Sequence, residues 1–386
     1  MRPSTLPSTV RRSAVAALLA AVAVSSLSPA LADPGKDKGK HKGQTKTHVH
    51  VDHKPADYAP FCTGDPADVQ RLDIIVDGQP AWGVYAMPDR TPKGIVVFAH
   101  GHGHSADSWR AHVADTAKRD GVIAIAMNYR HPAGQPDTYG WRVQEGAADS
   151  IVAAKQFERM CPMAKTIVMY GVSMGGNTAG LAIAAKAKRH NGAPLFDYWF
   201  DIEGATNVTE TYLEARGLAV TGNATATVAV KEIEEEFGGP IESRSDTYLH
   251  NSIVTRAEDI KASGLKGVVM VHGVDDGLVG YNQSHEMNVR LRQVGIPVDF
   301  WTALTRGANS EPGTTLDGYV TGNIPGFESP FVGHADEDST THLVGATGFE
   351  RLAALFAGVT PACRTGLLDG NAGWTQTAPL TSPATC

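Results

Sequence analysis

The sequence predicts an α/β fold, a mostly parallel sheet with helices packed on both faces. Three observations carry this. Short apolar runs of strand length recur, such as Gly94-Ile95-Val96-Val97-Phe98-Ala99 and Val122 to Met127, without the polar alternation of a half-exposed sheet. Helix-length segments lie between them with apolar residues on one face, as in Val143, Ala147, Ile151 and Ala154. Two β-rich segments joined at Asp77-Gly78, a hairpin signal, precede the series. Parallel strands need long crossovers, and helices supply them, so a hairpin followed by alternating strands and helices reads as one α/β domain.

Taken in order, residues 69–76 and 81–87 form the hairpin and 94–99 the first doubly buried strand. A helix over 105–119, a strand over 122–127, a helix over 141–159 and a strand over 166–170 follow. The Ala-rich stretch from Asn177 to Arg189 reads as a helix that stops before Asn191-Gly192. Strands are expected at 196–202, 268–271 and 298–304, and helices at 280–294 and 339–357. Residues 205–262 break the alternation and hold helical pieces such as Val230 to Phe237, so they are expected to form a small helical cap. Residues 305–333, rich in Gly, Ser, Thr and Pro, read as a long loop.

The ends differ in character from this body. Of the 34 basic and 41 acidic residues, nine and three fall before residue 57, which leaves 25 and 38, a net of −13, for residues 57–386. An acidic body argues against nucleic acid as a partner. Arg11-Arg12, the apolar run from Ala14 to Val24 and the small residues Ala30-Leu31-Ala32 have the layout of an export signal over residues 1–32, cleaved near Ala32. Its apolar run is short for a membrane span, and no later segment reads as one. Residues 33–56 are rich in Lys, Gly and His and read as a disordered basic linker. His48-Val49-His50-Val51-Asp52-His53 within it has zinc-ligand spacing but no strand to fix it, and is read as a flexible polar stretch. An exported chain with Cys62, Cys161, Cys363 and Cys386 is expected to hold two disulfides, Cys62–Cys161 and Cys363–Cys386, the latter closing a tail over 363–386.

The chemistry centres on Gly171-Val172-Ser173-Met174-Gly175-Gly176, which follows the strand at 166–170 and opens a helix. This is G-x-S-x-G in a strand–turn–helix setting, where a tight turn exposes the serine hydroxyl and Gly171 and Gly175 keep its flanks free of bulk. Through these residues the chain resembles the α/β-hydrolases, over about residues 66–360. The resemblance implies an eight-stranded, mostly parallel sheet with a small helical cap, and a serine, acid and histidine in that chain order. It implies backbone donors for an oxyanion at Met174 and in the loop Ala99-His100-Gly101-His102-Gly103-His104, by position at His102. A metal held by His100, His102 and His104 is the competing reading of that loop, and His100 is expected to pack under it instead.

The acid is expected after the strand at 268–271, where His272-Gly273-Val274-Asp275-Asp276-Gly277-Leu278-Val279 matches the family's H-G-x-x-D-x-x-V pattern. That assigns Asp276, with Asp275 as competitor. Only His285, His334 and His342 follow it. His285 falls inside a helix, and His334, in a loop before the last helix, is favoured as base over His342. Trp109 and Trp141 are candidates for an acyl pocket or for packing; Asp201 and Glu203 are candidates for binding a charged group or for a solvated loop. The expected protein is a secreted, monomeric serine esterase acting on a small-molecule or polymeric ester, with no cofactor and no metal. The stretch Tyr248 to Ile260 is similar to prolyl-oligopeptidase-like enzymes and keeps a peptidase open. A non-catalytic binding protein on the same scaffold and a metal-dependent hydrolase compete with the esterase from outside its class.

Overall fold

A computed structural model describes residues 62–274, 276–303, 334, 343–369 and 375–380. The expected leader (1–32), linker (33–56), Asp275, the 305–333 loop, His342 and Cys386 lie outside the described residues.

The hairpin forms as β1 (Gln70–Val76) and β2 (Gln79–Ala86), with Val76 paired to Gln79 across the turn and Asp77 and Gly78 both left-handed, as a two-residue hairpin turn requires. The apolar runs become β3 (Gly94–Ala99), β4 (Ile123–Met127), β5 (Thr166–Val172), β6 (Tyr198–Ile202), β7 (Gly267–Gly273) and β8 (Val298–Ala303). Every residue of β3, β4, β6, β7 and β8 is buried, the mark of a sheet covered on both faces. The helices between them are α1 (Arg110–Asp120), α2 (Val143–Met160), α3 (Met174–Ala184), α8 (Tyr281–Gln293) and α9 (Leu343–Phe356). Strand residues alternate between two cores. Ile95, Val97 and Ala99 pack with α2, α3 and α8, while Val96 and Phe98 pack with α1 and α9.

The strand order is β1-β2-β4-β3-β5-β6-β7-β8, with β4 through β8 parallel and β2 antiparallel to β4. The sheet does not stop at the expected eight strands. Arg364–Asp369 (β9) adds parallel to β8, and Thr375–Leu380 (β10) adds antiparallel to β9, giving a sheet of ten strands among the described residues. Gly366 permits this addition, because a Cβ there would sit 2.3 Å from the Trp301 ring of β8. Arg364 also grips Asp299 of β8. Neither contact is local in sequence, which is why a short Gly-containing tail reads as loop.

The span expected as a cap, 205–262, is helical, with four α-helices. Val208–Ala219 (α4), Ala224–Phe237 (α5), Ile241–Asn251 (α6) and Ala257–Ser263 (α7) lie between β6 and β7. Asn207 and Asn223 cap α4 and α5 by accepting the N–H groups of Glu210 and Ala226. Tyr212, Phe237 and Tyr248 form a buried aromatic cluster that joins α4, α5 and α6. Cys62 and Cys161 are bonded, tying the start of the body to the end of α2. Cys363 is also disulfide-bonded. No helix among the described residues is long and apolar enough to cross a membrane.

Candidate active site

The site gathers where parallel strands end. Ser173 follows β5 and precedes α3 in a strained left-handed conformation (φ 56°, ψ −126°). Such a conformation is costly for a residue with a Cβ, so it persists only where the surroundings impose it. Here the Ser173 N–H donates to Ile202 O at 3.0 Å, and its own carbonyl accepts from Gly176 N at 2.9 Å and Ala205 N at 3.0 Å. The flanking glycines are required by space. A Cβ at Gly171 would lie 2.1 Å from Gly175 O, and one at Gly175 would lie 2.0 Å from Ala99 O. Met174 supplies the first N–H of α3, a helix N-terminus that favours negative charge.

Asp276 follows β7. Its Oδ1 accepts the N–H groups of Leu278 at 2.8 Å and Val279 at 2.9 Å, which fixes the carboxylate. Its Oδ2 accepts from His334 Nδ1–H at 2.7 Å and lies 3.2 Å from His272 Nε2. Burial by itself would push this carboxyl up, but His334 and His272 outweigh it and hold the group well below the usual carboxylate range. A proton on His334 Nδ1 leaves Nε2 as the ring's acceptor, the tautomer a general base needs. The structure thus brings Asp276 and His334 together. His285 lies inside α8.

His272 is fully buried beneath Asp276. Its Nε2–H donates to Val279 O at 2.9 Å, and its Nδ1 is 2.7 Å from Ser284 Oγ. Burial pulls its pKa down, yet the hydrogen bond and charge of Asp276, with the charge of Glu203, raise it overall. Asp201, near the end of β6, is also fully buried, and burial pushes its carboxyl up to about 7 against the pull of His272 and Ser284.

Glu203 was legible only as one of two acids near a strand end, for a charged group or a solvated loop. The structure buries it completely, in a left-handed conformation (φ 50°), with its N–H donating to Val271 O at 2.9 Å. Oε1 accepts from Gly273 N at 3.1 Å, and Oε2 lies 3.6 Å from His334 Nδ1. Donor atoms of Glu203, Asp276 and His334 lie within 4.8 Å of one another. The 2.7 Å separation of His334 Nδ1 and Asp276 Oδ2 is that of a charge-assisted hydrogen bond, whose proton occupies the lone pair a cation would need.

The His-Gly loop after β3 has two histidines in different roles. His100 stacks on Tyr129 (3.7 Å between ring centres), donates Nδ1–H to Gly101 O at 2.9 Å, and its carbonyl accepts from Tyr129 Oη. Burial, then the neighbouring His104 and His102, lower its pKa to about 3, so the ring stays neutral. His102 reaches the cap instead, where its Nε2 pairs with Glu232 of α5. The same helix anchors Tyr139 through Glu235 and Arg142 through Glu236. Burial, with the nearby Glu145, pushes the Glu236 carboxyl up to about 8. Trp141 is buried beside His102, with ring centres 5.7 Å apart. Trp109 is buried in the core, 4.5 Å from Phe98, and has no place in a pocket wall.

A model of the alpha/beta hydrolase family matches residues 96–258, from β3 through the cap. This chain has the α/β-hydrolase fold. Solved structures that it resembles include an acylaminoacyl peptidase from Pyrococcus horikoshii, at 17% identity and a TM-score of 0.47. That match covers 61% of this chain and 36% of the peptidase. An esterase from Pyrobaculum calidifontis matches at 17% identity and a TM-score of 0.46, over 61% of this chain and 75% of the esterase. A thermostable esterase from Pseudomonas putida ECU1011 matches at 18% identity and a TM-score of 0.46, over 65% of this chain and 80% of that one. The chain therefore spans little more than a third of the peptidase's length. A search of curated protein sequences finds no match.

Proposed function

We propose that the chain is an exported serine hydrolase that cleaves carboxylic esters through an acyl-enzyme. The observation that carries this reading is a strained, left-handed serine at the end of β5, with a buried carboxylate–imidazole pair in the same domain. In the first step the Ser173 hydroxyl proton passes to His334 Nε2 as Oγ bonds to the ester carbonyl carbon. The carbonyl oxygen, now negative, accepts the backbone N–H groups of Met174 and His102. Collapse breaks the bond to the alcohol oxygen, which takes the proton from His334. Water then repeats the sequence on the acyl-enzyme and returns Ser173 with its hydrogen. Asp276 keeps the imidazole in the right tautomer and stabilises its cation, and each oxyanion donor contributes roughly a hundredfold or more in rate.

The test is direct. A fluorophosphonate should add to Ser173 in the intact protein, and Ser173→Ala should abolish both the adduct and turnover of p-nitrophenyl esters. Ester turnover that survives Ser173→Ala sinks the proposal. A chelator should leave the rate unchanged, which separates this reading from metal-assisted hydrolysis. Peptide p-nitroanilides run beside the esters decide between esterase and peptidase. N-terminal sequencing of the exported protein tests cleavage near Ala32. The Cys62–Cys161 bond supports export, because disulfides persist in oxidising compartments.

A further inference from the structure

We infer that Glu203 is a second carboxylate of the catalytic imidazole, a positioning residue that shares with Asp276 the task of stabilising the His334 cation. This inference rests on the triad reading above and extends it. A triad of one serine, one histidine and one acid needs no further carboxylate, yet two are directed at one side of this ring. Asp276 Oδ2 lies 2.7 Å and Glu203 Oε2 lies 3.6 Å from the same nitrogen, Nδ1 of His334.

Glu203 is held there at a cost. It is fully buried and left-handed, with a Cβ that makes such a backbone unfavourable. Two bonds to β7 keep it in place: its N–H donates to Val271 O and its Oε1 accepts from Gly273 N. A carboxylate needed only to tie β6 to β7 would use the bond to Gly273, and a neutral amide oxygen could make that bond as well. The second oxygen, turned towards the imidazole, is what a neutral side chain could not replace. The groups facing this cluster are consistent with a shared cation. Asp276 comes from the turn after β7, His272 lies beneath Asp276, and Asp201 sits beside His272 near the end of β6. Glu214 on α4 faces this cluster too, and burial, with the charges of Glu210 and Asp276, pushes its carboxyl up to about 7.

The chemistry follows from the sign of the charge. When Ser173 gives its proton to His334, the ring becomes a cation in a water-poor site. Two carboxylates stabilise that cation more than one does, so the acyl transfer barrier falls. The ring must also be neutral to act as base. Removing Glu203's charge should therefore move the acid limb of the kcat/KM profile to lower pH and lower the plateau. An opposite charge at this range shifts such a limb by about one pH unit or more. Glu203 would also serve when Asp276 is neutralised. Neutralising the acid of a triad that has one carboxylate costs about 10⁴-fold. With Glu203 in place, Asp276→Asn should cost roughly 10²-fold, and adding Glu203→Gln should cost a further tenfold or more.

The experiment measures kcat/KM against pH for a soluble p-nitrophenyl ester with wild type, Glu203→Gln, Glu203→Asp, Asp276→Asn and the Asp276→Asn/Glu203→Gln pair. Thermal melts establish which variants fold, and Ser173→Ala runs in parallel. Glu203→Gln keeps an amide oxygen for Gly273, so it removes charge with little change of shape. The expected result is an acid limb about one unit lower in Glu203→Gln, and a smaller shift of the same sign in Glu203→Asp. An acid limb unmoved in whichever of the two folds overturns the inference, as does Asp276→Asn activity no higher than that of the pair. A lowered plateau with an unmoved limb would be the mark of a purely structural glutamate. Turnover that survives Ser173→Ala would overturn the triad reading itself, and the two failures are thereby distinguished.

Discussion

Replacing Gly175 by alanine puts a methyl carbon 2.0 Å from the carbonyl oxygen of Ala99 and 2.8 Å from that of His100. Carbon and oxygen normally meet at about 3.3 Å or more, so something must give by over an ångström. No side chain is available to yield, because the contact is with backbone. That backbone is the end of β3, paired to Gly171 of β5, and it leads straight into the loop that carries His102. Overpacking of this kind costs roughly 1–3 kcal/mol in stability. The larger effect should be on rate, since moving an oxyanion donor by an ångström costs on the order of a hundredfold. Two controls separate these effects. Gly180→Ala, on the same α3, brings a Cβ to 2.5 Å from Ile253 Cγ1, a side-chain atom that can rotate away. It should lower the melting temperature and leave kcat unchanged. Gly217→Ala, inside α4 with nothing within 4 Å of its Cβ, should raise stability by about 0.5–1 kcal/mol. The assay is kcat/KM for a p-nitrophenyl ester beside a thermal melt for each variant. A Gly175→Ala protein that is destabilised but turns over at the wild-type rate would refute the coupling of the elbow to the oxyanion loop.

Two further outcomes concern stability. The Cys62–Cys161 bond joins residues 99 apart, and a loop of that size is worth about 4.7 kcal/mol on the chain-entropy model. The Cys62→Ala/Cys161→Ala pair should therefore unfold at clearly lower urea, and an unchanged midpoint would show that the bond contributes nothing. Asp201 predicts a pH slope. Burial pushes its carboxyl up to about 7, whereas an unfolded aspartate ionises near 3.9, so between those values the folded state holds a proton the unfolded state releases. Stability should fall as pH rises through that window. Asp149, Glu214 and Glu236, raised to about 6, 7 and 8 chiefly by burial, act in the same direction. Asp276 is held low instead, so its contribution is present above about pH 4 and is lost only in stronger acid. Asp201→Asn should flatten the slope of melting temperature between about pH 4 and 7; an unaltered slope would remove Asp201 from the account.

The serine was the easiest residue to read because its constraint is local. A tight turn needs glycine on both sides, and a strand and a helix sit directly against it. The place of Asp276 past the end of β7 was readable for a related reason, since its pattern hangs on one buried strand. The cap was half legible: the acidic run in α5 showed a helix but not that its glutamates grip His102, Tyr139 and Arg142, residues far off in sequence. The tail strands were missed because β9 is stabilised by what it lies against, Trp301 and Asp299, and not by its own composition. Trp109 shows the same limit from the other side. A tryptophan near a candidate site is as good a pocket wall as a core residue until Phe98 and Tyr170 are found against it.

Glu203 explains where such reading stops and how far it can be pushed. Its own segment, Phe200-Asp201-Ile202-Glu203-Gly204, offers two acids and no means of choosing between them. The choice is made by register. Ile202 pairs with Val172 on one side and with Val271 on the other, so the residues that follow these strands come out along one edge of the sheet. Ser173 is one residue beyond β5, Glu203 one residue beyond β6, and Asp276 three beyond β7. Asp201 lies inside β6 and is drawn below that edge, among His272 and Ser284, where its carboxyl is fully buried. In a parallel sheet, the first polar residues past each buried strand form a short list of site residues, and the strand order says which of them are neighbours. For this chain that list holds Ser173, Glu203 and Asp276. The amino-acid order supplies every member, while the adjacency of β6 and β7 decides that two acids, and not one, meet the same imidazole.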